Sequence, residues 1–528
     1  MTTRAGFTRA DAVFLGSVAA ICGLAVAVGM APLREFEHDI FFALDGAYRV
    51  LWGQVPHRDF SSAWGPLIFL MEGAGLALAG MRPAGLGYAN ALWGALVAIW
   101  VYGIARPRLT SGLACAAGIY TLLLMVGPYA LGYSPLAFGH VMMYNRYGFT
   151  LLGVLLIESS APDGNAGAFS SGAAWALLGF LKISYGAMAV PFLAISCVFR
   201  QGRTRRWLWR RCLWLCGGAG LVTLLVFCYL RWDVGDMLRD LAAAASGRSQ
   251  SWRPGVMLNP ASVAEAIPLV LLAVVCAWKS PRMARLHMAA TAAVTLAVSG
   301  ILLSTNHQAE SLPLAGFAAL VLASGALARW QTAAGAGAPL LRKLAVLLLM
   351  GLSVVPLALE NAISLAAAAV EEGWPPGTAE RRVACARGAP MRFEPAASSM
   401  TSETGGPAYV DVLNDGLDLI RRRTDPEAGV LAMDMFNPFN YLLDRRPPRG
   451  GMVTAAYNYV FSDAVHPPDS RFFGDARYAM VRKYGAAVQD YEIETYYLRG
   501  LDRVYGAALR ERFRLVEETA HWSLWERR

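Results

Sequence analysis

The sequence predicts a polytopic α-helical membrane protein with about 11–13 transmembrane helices, followed by a small C-terminal α/β domain. The composition supports this class, because 56% of the 528 residues are apolar, 16% are charged and the mean hydropathy is +0.39. Apolar runs long enough to cross roughly 30 Å of hydrocarbon recur up to residue 370, and the chain then becomes charged. We therefore predict a multi-spanning membrane domain, residues 1–370, and a soluble domain, residues 371–528.

Eleven segments are candidate crossings. They are 12–33, 64–81, 86–104, 109–131, 139–158, 168–199, 212–231, 262–278, 288–304, 310–328 and 344–369. The first run is too long for a signal-peptide core, so we predict that it is an uncleaved helix. Segment 168–199 carries Lys182 in its middle, which costs roughly 2.5–3.5 kcal/mol at a bilayer centre. Two half-length helices meeting at residues 182–186 would remove that cost, and another early segment would then fail to cross.

The charge distribution predicts the orientation of the chain. Residues 371–528 contain 21 Lys/Arg and 23 Asp/Glu, which leaves 26 bases and 15 acids in the membrane part. Basic loops at 200–211, 279–285 and 329–343 indicate the cytoplasmic face. We therefore predict a bacterial inner-membrane protein whose C-terminal domain is periplasmic. No basic patch with interleaved aromatics favours nucleic-acid binding.

The C-terminal domain has local patterns typical of a small α/β fold. Residues 409–423 have helical spacing, whereas 429–433 and 477–481 read as buried strands. Residues 513–516 and 522–525 predict a closing hairpin. Two polar clusters, 437–440 and 445–449, are candidate acceptor contacts.

The first outer loop, residues 34–64, is the strongest candidate for a functional site. Glu37, His38 and Asp39 follow the first membrane helix directly, although acids there also fit a solvated membrane boundary. Apolar and aromatic residues at helical spacing over 41–52 predict a helix in the membrane interface. The alternation of acids, aromatics and turns indicates a catalytic loop.

This loop resembles that of the GT-C glycosyltransferases, which use polyprenyl-phosphate sugars and include protein O-mannosyltransferases and aminoarabinose lipid A transferases. The resemblance rests on an acid after the first membrane helix, then Tyr48-Arg49-x-x-x-Gly53-x-x-Pro56-x-Arg58-Asp59-Phe60 and Gly65-Pro66. In the family an Asp-Glu pair precedes the Tyr/Trp-Arg pair, and its Asp acts as the base. Asp39 matches the family Asp, whereas Ile40 stands where the family has Glu.

The resemblance implies a sugar transfer that inverts the anomeric centre, with Asp39 as general base and Glu37 and His38 beside it. It implies a polyprenyl-phosphate sugar donor, contact with membrane lipids, and a lipid, glycan or protein acceptor. Because Ile40 removes one family carboxylate, a divalent cation stays open as a cofactor and the metal ligands are unknown.

Two groups of residues, each with one cationic side chain, are candidates for holding the donor phosphate. Tyr144, Asn145 and Arg146 lie in an otherwise apolar segment, where an arginine marks either a site or a side chain reaching the headgroups. Lys182 and Tyr185 form the second group, and Lys182 is similar to a family lysine close to the lipid phosphate. The alternative is that Lys182 only fixes the orientation of its segment in the membrane or extends its side chain to the headgroups.

Further candidate contacts lie in loops predicted on the same outer face. Arg58 is a candidate phosphate ligand, and Asp59 would shape the site. His307 and Gln308 belong to a polar island between two apolar runs, which is either a substrate contact or a short turn.

Two other functions compete with sugar transfer. A lipid-glycan flippase would share the apolar helices and buried cations, but the sequence has no internal repeat. A non-catalytic envelope-assembly scaffold fits the loss of the second acid at Ile40. The sequence contains no Walker-type loop, GxSxG elbow or HExxH motif, so ATP-driven transport, serine hydrolysis and zinc proteolysis lose support.

Overall fold

The computed structural model describes residues 7–160, 164–199, 204–247, 259–306, 311–332, 340–373, 381–393, 409–483 and 492–528. Its first part is helical throughout. The helices are α1 (Arg9–Val28), α2 (Ile40–Leu51), α3 (Pro66–Leu78), α4 (Gly85–Ala105), α5 (Ser111–Val126), α6 (Met143–Glu158), α7 (Asn165–Leu181), α8 (Ile183–Val198), α9 (Arg205–Tyr229), α10 (Val234–Gly247), α11 (Pro260–Ala277), α12 (Arg282–Asn306), α13 (Pro313–Thr332) and α14 (Leu340–Glu372).

Each of the eleven predicted segments contains helical residues, and segment 168–199 is divided into two helices at Lys182, the alternative that the sequence left open. Lys182 has an extended backbone between α7 and α8, so the chain turns at this residue. Within the described ranges, seven helices are long and apolar enough to cross a membrane: α1, α4, α9 and α11–α14. The multi-pass character of the chain is therefore confirmed.

Helix α3 corrects the prediction that segment 64–81 crosses the membrane. Its 13 residues extend about 20 Å, against roughly 30 Å of hydrocarbon core, so the contacts of its two ends decide its course. Its first end joins the α7–α8 turn, where Gly65 N–H donates to Leu181 O over 3.1 Å. Its other end reaches the C-terminal domain, where Tyr441 Oη donates to Met81 O over 3.1 Å. Both ends thus lie on the face that carries this domain.

Ion pairs at the opposite face fix the direction of the first crossings. Arg106, directly after α4, pairs with Asp11 at the start of α1 over 2.8 Å. Arg108 pairs with Glu158 at the end of α6. Helices α1 and α5 therefore run toward the C-terminal domain, whereas α4 and α6 run away from it.

Two outer helices differ from the sequence expectation in their surroundings. Helix α2 forms as predicted, but its residues 40–49 are all buried, because α3 and the C-terminal domain cover it. It is therefore an internal helix and not one that lies exposed in the membrane interface. Residues 234–247, for which the sequence predicted no helix, form the helix α10.

The C-terminal domain has the predicted α/β character. It contains α15 (Tyr409–Arg423), β1 (Val430–Met433), α16 (Phe439–Leu442), α17 (Asp469–Phe473), β2 (Tyr478–Arg482), α18 (Glu492–Arg512), β3 (Phe513–Glu518) and β4 (Trp522–Arg527). The sheet order is β1-β2-β4-β3, with β1 and β2 parallel and the other pairs antiparallel. The predicted closing hairpin is β3–β4.

Candidate active site

The acidic start of the first outer loop lies at the contact between the membrane domain and the C-terminal domain. Asp39 immediately precedes α2, and its carboxylate is 3.4 Å from His38 Nε2. The Asp39 side chain is 17% exposed, whereas Glu37 is buried. Asp39 can therefore receive a proton from a molecule at this contact, and His38 can orient it.

Aromatic residues of the C-terminal domain complete the surroundings of Asp39. The His38 ring lies 5.7 Å from that of Phe436, which follows β1, and 6.0 Å from that of Tyr409. Burial, Tyr459 and the Asp39 carboxylate together raise the pKa of Tyr497 on α18 to about 12. The sequence did not indicate that this domain would supply a wall of the site.

The break between α7 and α8 buries the Lys182 ammonium against an aromatic cluster. Its Nζ lies 4.7 Å from the centroid of the Tyr144 ring. That ring lies 5.5 Å from Trp64, and Trp64 lies 4.7 Å from Phe42. Lys182 is 1% exposed, so the surroundings of its charge have a low dielectric constant and strengthen its attraction for an anion.

Buried donors without acceptors point to the same place. Tyr185 Oη donates to Asn145 Oδ1 over 3.0 Å, which fixes the orientation of the amide. Asn145 Nδ2 and Trp64 Nε1 have no hydrogen-bond partner within the described part of the chain, although both residues are buried. Because a buried donor without a partner costs free energy, these groups together with Lys182 fit an anionic ligand such as a phosphate.

Helix α2 connects the acidic start of the loop to the aromatic cluster. Phe42 lies three residues after Asp39, about one helical turn along α2, and contacts both Trp64 and Tyr144. Gly65 lets the loop approach the α7–α8 turn, because an added Cβ would overlap the carbonyl oxygen of Phe180 at the end of α7. The helix that Asp39 precedes thus packs against the aromatic cluster around Lys182.

Arg146, directly after Asn145, is engaged by protein acceptors at both terminal nitrogens, whereas its Nε has no partner among the described residues. Its Nη1 donates to Leu124 O over 2.7 Å and to Asn361 Oδ1 over 2.6 Å, and its Nη2 donates to Tyr129 O over 2.6 Å. These acceptors tie α6 to α5 and α14, so the geometry gives Arg146 a structural role. The predicted contact of Arg146 with phosphate gains no support from these bonds.

Arg58 and Asp59 form an ion pair within the loop. Arg58 Nη2 donates to Asp59 Oδ2 over 2.7 Å, and the same oxygen accepts Val55 N–H over 2.8 Å. Burial raises the pKa of the Asp59 carboxyl, but the Arg58 bond and the Val55 N–H outweigh it, so the net pKa lies below its usual value. Both residues shape the loop that carries Trp64.

The motif around Arg49 docks the C-terminal domain. The buried Arg49 guanidinium donates to Asp45 over 2.8 Å and to the carbonyls of Pro448 and Gly450 over 2.9 and 3.1 Å. Tyr48 Oη donates to Asp444 over 2.8 Å. Part of the loop motif therefore holds the domain that covers Asp39.

Three residues of the predicted acceptor clusters, 437–440 and 445–449, have partners within the C-terminal domain, whereas Arg446 and Arg449 are exposed. Asn440 Oδ1 accepts Val430 N–H over 2.9 Å, and Asn437 Nδ2 donates to Val430 O over 2.8 Å. Arg445 donates to Thr424 Oγ1 over 2.7 Å. These side chains are engaged in holding β1 and α15.

A second junction was not apparent from the sequence. Buried His57 Nδ1 lies 3.0 Å from Asp240 Oδ2 on α10, and Ser62 N–H donates to the same oxygen over 3.0 Å. Arg471 of the C-terminal domain contacts both Asp240 and the His57 carbonyl. Three sequence-distant segments therefore meet at one carboxylate.

Two predicted site residues, His307 and Gln308, lie outside the described residues. The described residues contain no group of three or more His, Cys, Asp or Glu side chains arranged to hold a metal ion. Ile40 is fully buried where the family pattern has its second acid. The donors and cation around Lys182 fit a phosphate better than they fit a metal ion.

Solved structures share the fold of this chain. ArnT from Cupriavidus metallidurans in the apo state is 13% identical, with a TM-score of 0.51 and 97% of each chain covered. The same protein bound to undecaprenyl phosphate is 14% identical, again with a TM-score of 0.51 and 97% coverage of each chain. No protein-family model and no curated protein sequence matches the chain. The predicted GT-C-like fold, with its C-terminal sheet domain, is confirmed.

Proposed function

We propose that this protein is a membrane glycosyltransferase that moves a sugar from a polyprenyl-phosphate donor to a hydroxyl group, with Asp39 as general base. The observation that carries the proposal is a buried cation, Lys182, in an aromatic cluster with the unsatisfied donors of Trp64 and Asn145, which contacts the helix that Asp39 precedes. The shared fold with ArnT, one structure of which holds undecaprenyl phosphate, supports the class of donor.

The proposed step has one bond forming and one breaking. The acceptor oxygen attacks the anomeric carbon of the sugar while its proton passes to the Asp39 carboxylate. The bond between that carbon and the donor phosphate oxygen breaks, and the phosphate leaves with the electron pair. Attack from the face opposite the phosphate inverts the anomeric centre. No metal ion is needed to balance this step.

Stabilisation of the leaving phosphate falls to the Lys182 cluster. The Lys182 ammonium neutralises its growing charge, and Trp64 Nε1 and Asn145 Nδ2 donate hydrogen bonds to its oxygens. Tyr144 and Tyr185 orient Lys182 and Asn145 respectively. These contacts act on charge that develops during transfer, which is where electrostatic stabilisation raises the rate.

The remaining predicted residues have supporting roles in this proposal. Glu37 and His38 orient Asp39, and Arg58 with Asp59 holds the loop. His307 and Gln308 stay candidate substrate contacts on sequence grounds alone. Arg146 is assigned to structure, since protein acceptors engage both of its terminal nitrogens.

The acceptor approaches Asp39 beside the C-terminal domain in this scheme. Phe436 and Tyr409 lie beside the His38 ring, and Tyr497 lies within reach of the Asp39 charge, so these residues are suited to select a lipid, glycan or protein acceptor. The basic loops favour a bacterial inner-membrane location with this domain in the periplasm. Membrane lipids would surround the crossing helices.

Asp39→Asn tests the proposal, with Glu35→Gln as a matched acid-to-amide control four residues earlier. Native mass spectrometry of each purified full-length protein reports the lipid that co-purifies. We expect Asp39→Asn to accumulate a polyprenyl-phosphate sugar and to lose transfer by roughly 10²- to 10⁴-fold, because an amide cannot accept the proton. Glu35→Gln should retain activity.

Other outcomes would reject the proposal. A whole lipid-linked oligosaccharide that binds equally to wild type and Asp39→Asn would indicate a flippase. Transfer by Asp39→Asn at the wild-type rate would exclude this carboxylate as the base.

A further inference from the structure

A basic cavity of about 410 Å³ opens on the face of the helical bundle away from the C-terminal domain. The direction of two helices establishes the face, because α7 and α9 begin at the cavity and end beside the first outer loop. Residues that line it include Gly164, Asn165, Thr204, Arg206, Arg210 and Arg211. The described lining contains three guanidinium groups and no carboxylate.

The packing of α7, α8 and α9 holds two of these arginines in place. Arg210 Nη2 donates to Asn165 Oδ1 at the start of α7 over 3.1 Å. Arg211 Nη2 donates to Ser196 Oγ on α8 over 2.6 Å, and the Arg211 side chain is buried. Arg206 lies four residues before Arg210 and so shares its side of α9. The charges therefore converge on the cavity.

The helix ends add to this positive potential. Helices α7 and α9, of 17 and 25 residues, begin at the cavity, so the positive ends of their dipoles face it, although Thr204 Oγ1 accepts the Trp207 N–H over 3.1 Å. The nearby acid, Glu158, is engaged with Arg108, and an added Cβ on Gly167 would touch both side chains. The described lining residues therefore carry a net positive charge.

We propose that this cavity binds a phosphate-bearing anion, and that the anion is the headgroup of an anionic phospholipid in the leaflet opposite the active site. Guanidinium groups suit phosphate because they donate paired hydrogen bonds to its oxygens. The lipid source follows from α9, where Leu208, Trp209 and Leu213 are 44%, 68% and 70% exposed close to the cavity. Acyl chains would cover these side chains, whereas a soluble phosphate would leave them exposed.

The test is binding of phosphatidylglycerol to the full-length protein in detergent, followed by native mass spectrometry. Phosphatidylcholine is the zwitterionic comparison, and inorganic pyrophosphate is the soluble one. The variant Arg206→Gln/Arg210→Gln removes two cavity charges. The matched control Arg205→Gln/Arg285→Gln removes two exposed charges at the same face that do not line the cavity.

Wild type should retain phosphatidylglycerol in preference to phosphatidylcholine. We expect the cavity variant to bind phosphatidylglycerol roughly 30-fold more weakly, from about 1 kcal/mol per basic residue near a membrane surface. The control should stay within about threefold of wild type. Should the cavity variant fail to fold, Asn165→Leu keeps every charge while it removes the Arg210 acceptor, and it should also weaken binding.

Three results would overturn the inference in whole or in part. Equal loss in the cavity variant and the control would show that general surface charge binds the lipid. A wild-type protein with no preference for phosphatidylglycerol would also reject the site. In a third outcome, the wild type shows no preference among the lipids, and only the cavity variant loses pyrophosphate binding. The cavity would then be a phosphate site, but its ligand would not be a lipid headgroup.

Discussion

Replacement of Lys182 by Met tests the candidate phosphate site directly. Methionine has similar length and is unbranched, so it keeps the packing at the α7–α8 turn while it removes the charge. The contact of the ammonium with Tyr144, worth about 0.5–2 kcal/mol, is lost from the free protein. Because the buried charge also disappears, the stability of the folded protein should change little.

The effect on phosphate binding should be much larger. Two unit charges about 4 Å apart at an effective dielectric constant near 20 attract each other by about 4 kcal/mol. Desolvation of the phosphate offsets part of this, which leaves about 2–3 kcal/mol, the upper range for a hydrogen bond to a charged group. The expected weakening of undecaprenyl phosphate binding is therefore roughly 30- to 150-fold.

Fluorescence titration of detergent-solubilised protein with undecaprenyl phosphate measures this change. Lys279→Met, at an exposed position on the opposite face, is the matched control and should bind as wild type does. A Kd for Lys182→Met within about threefold of wild type would refute the assignment. So would an equal loss in the control, since the effect would then arise from overall charge.

Further substitutions test the elements that support this site. Arg49→Met should destabilise the docked C-terminal domain by about 3–5 kcal/mol by leaving buried Asp45 unpaired, and adding Asp45→Asn should recover part of the loss in thermal unfolding. Gly65→Ala should abolish transfer because its methyl group meets the backbone at the end of α7, whereas Gly179→Ala, with open space around its added Cβ, should stay active. Asp59 has a lowered pKa in the folded protein, so its stabilising effect is complete above the unfolded pKa and is lost as pH falls below about 4. Asp59→Asn should therefore flatten the acid limb of the Tm profile, and an unchanged limb would contradict this.

Local sequence patterns predicted most of the fold. The cost of burying a charge at Lys182 favoured a break between α7 and α8 as one alternative, in which another early segment would not cross, but the sequence left the number of crossings between residues 80 and 200 open. Hydropathy could not identify that segment, because α3 is as apolar as a crossing helix. Its course is decided by contacts at Leu181 and Tyr441, which are far from it in sequence.

The role of the loop motif could be predicted from the sequence only in part. The sequence indicated that the region around Asp39 carries function, and the structure brings Asp39 to an accessible interface. It did not indicate that Arg49 would dock the C-terminal domain, because the acceptors are backbone carbonyls of residues 448 and 450. Carbonyl acceptors leave no signature in a sequence, so such a bond can be found only from the fold.

The two membrane cations show why a site cannot be read from residue type alone. Arg146 and Lys182 both interrupt apolar segments near tyrosines, and the sequence predicted the same role for both. Arg146 meets carbonyls and Asn361, which engage its terminal nitrogens. Lys182 meets an aromatic face, beside the donors of Trp64 and Asn145, which have no acceptors in the described structure. The protein acceptors around Arg146 support a structural role, whereas the unsatisfied donors of Trp64 and Asn145 support the proposal that the phosphate binds beside Lys182.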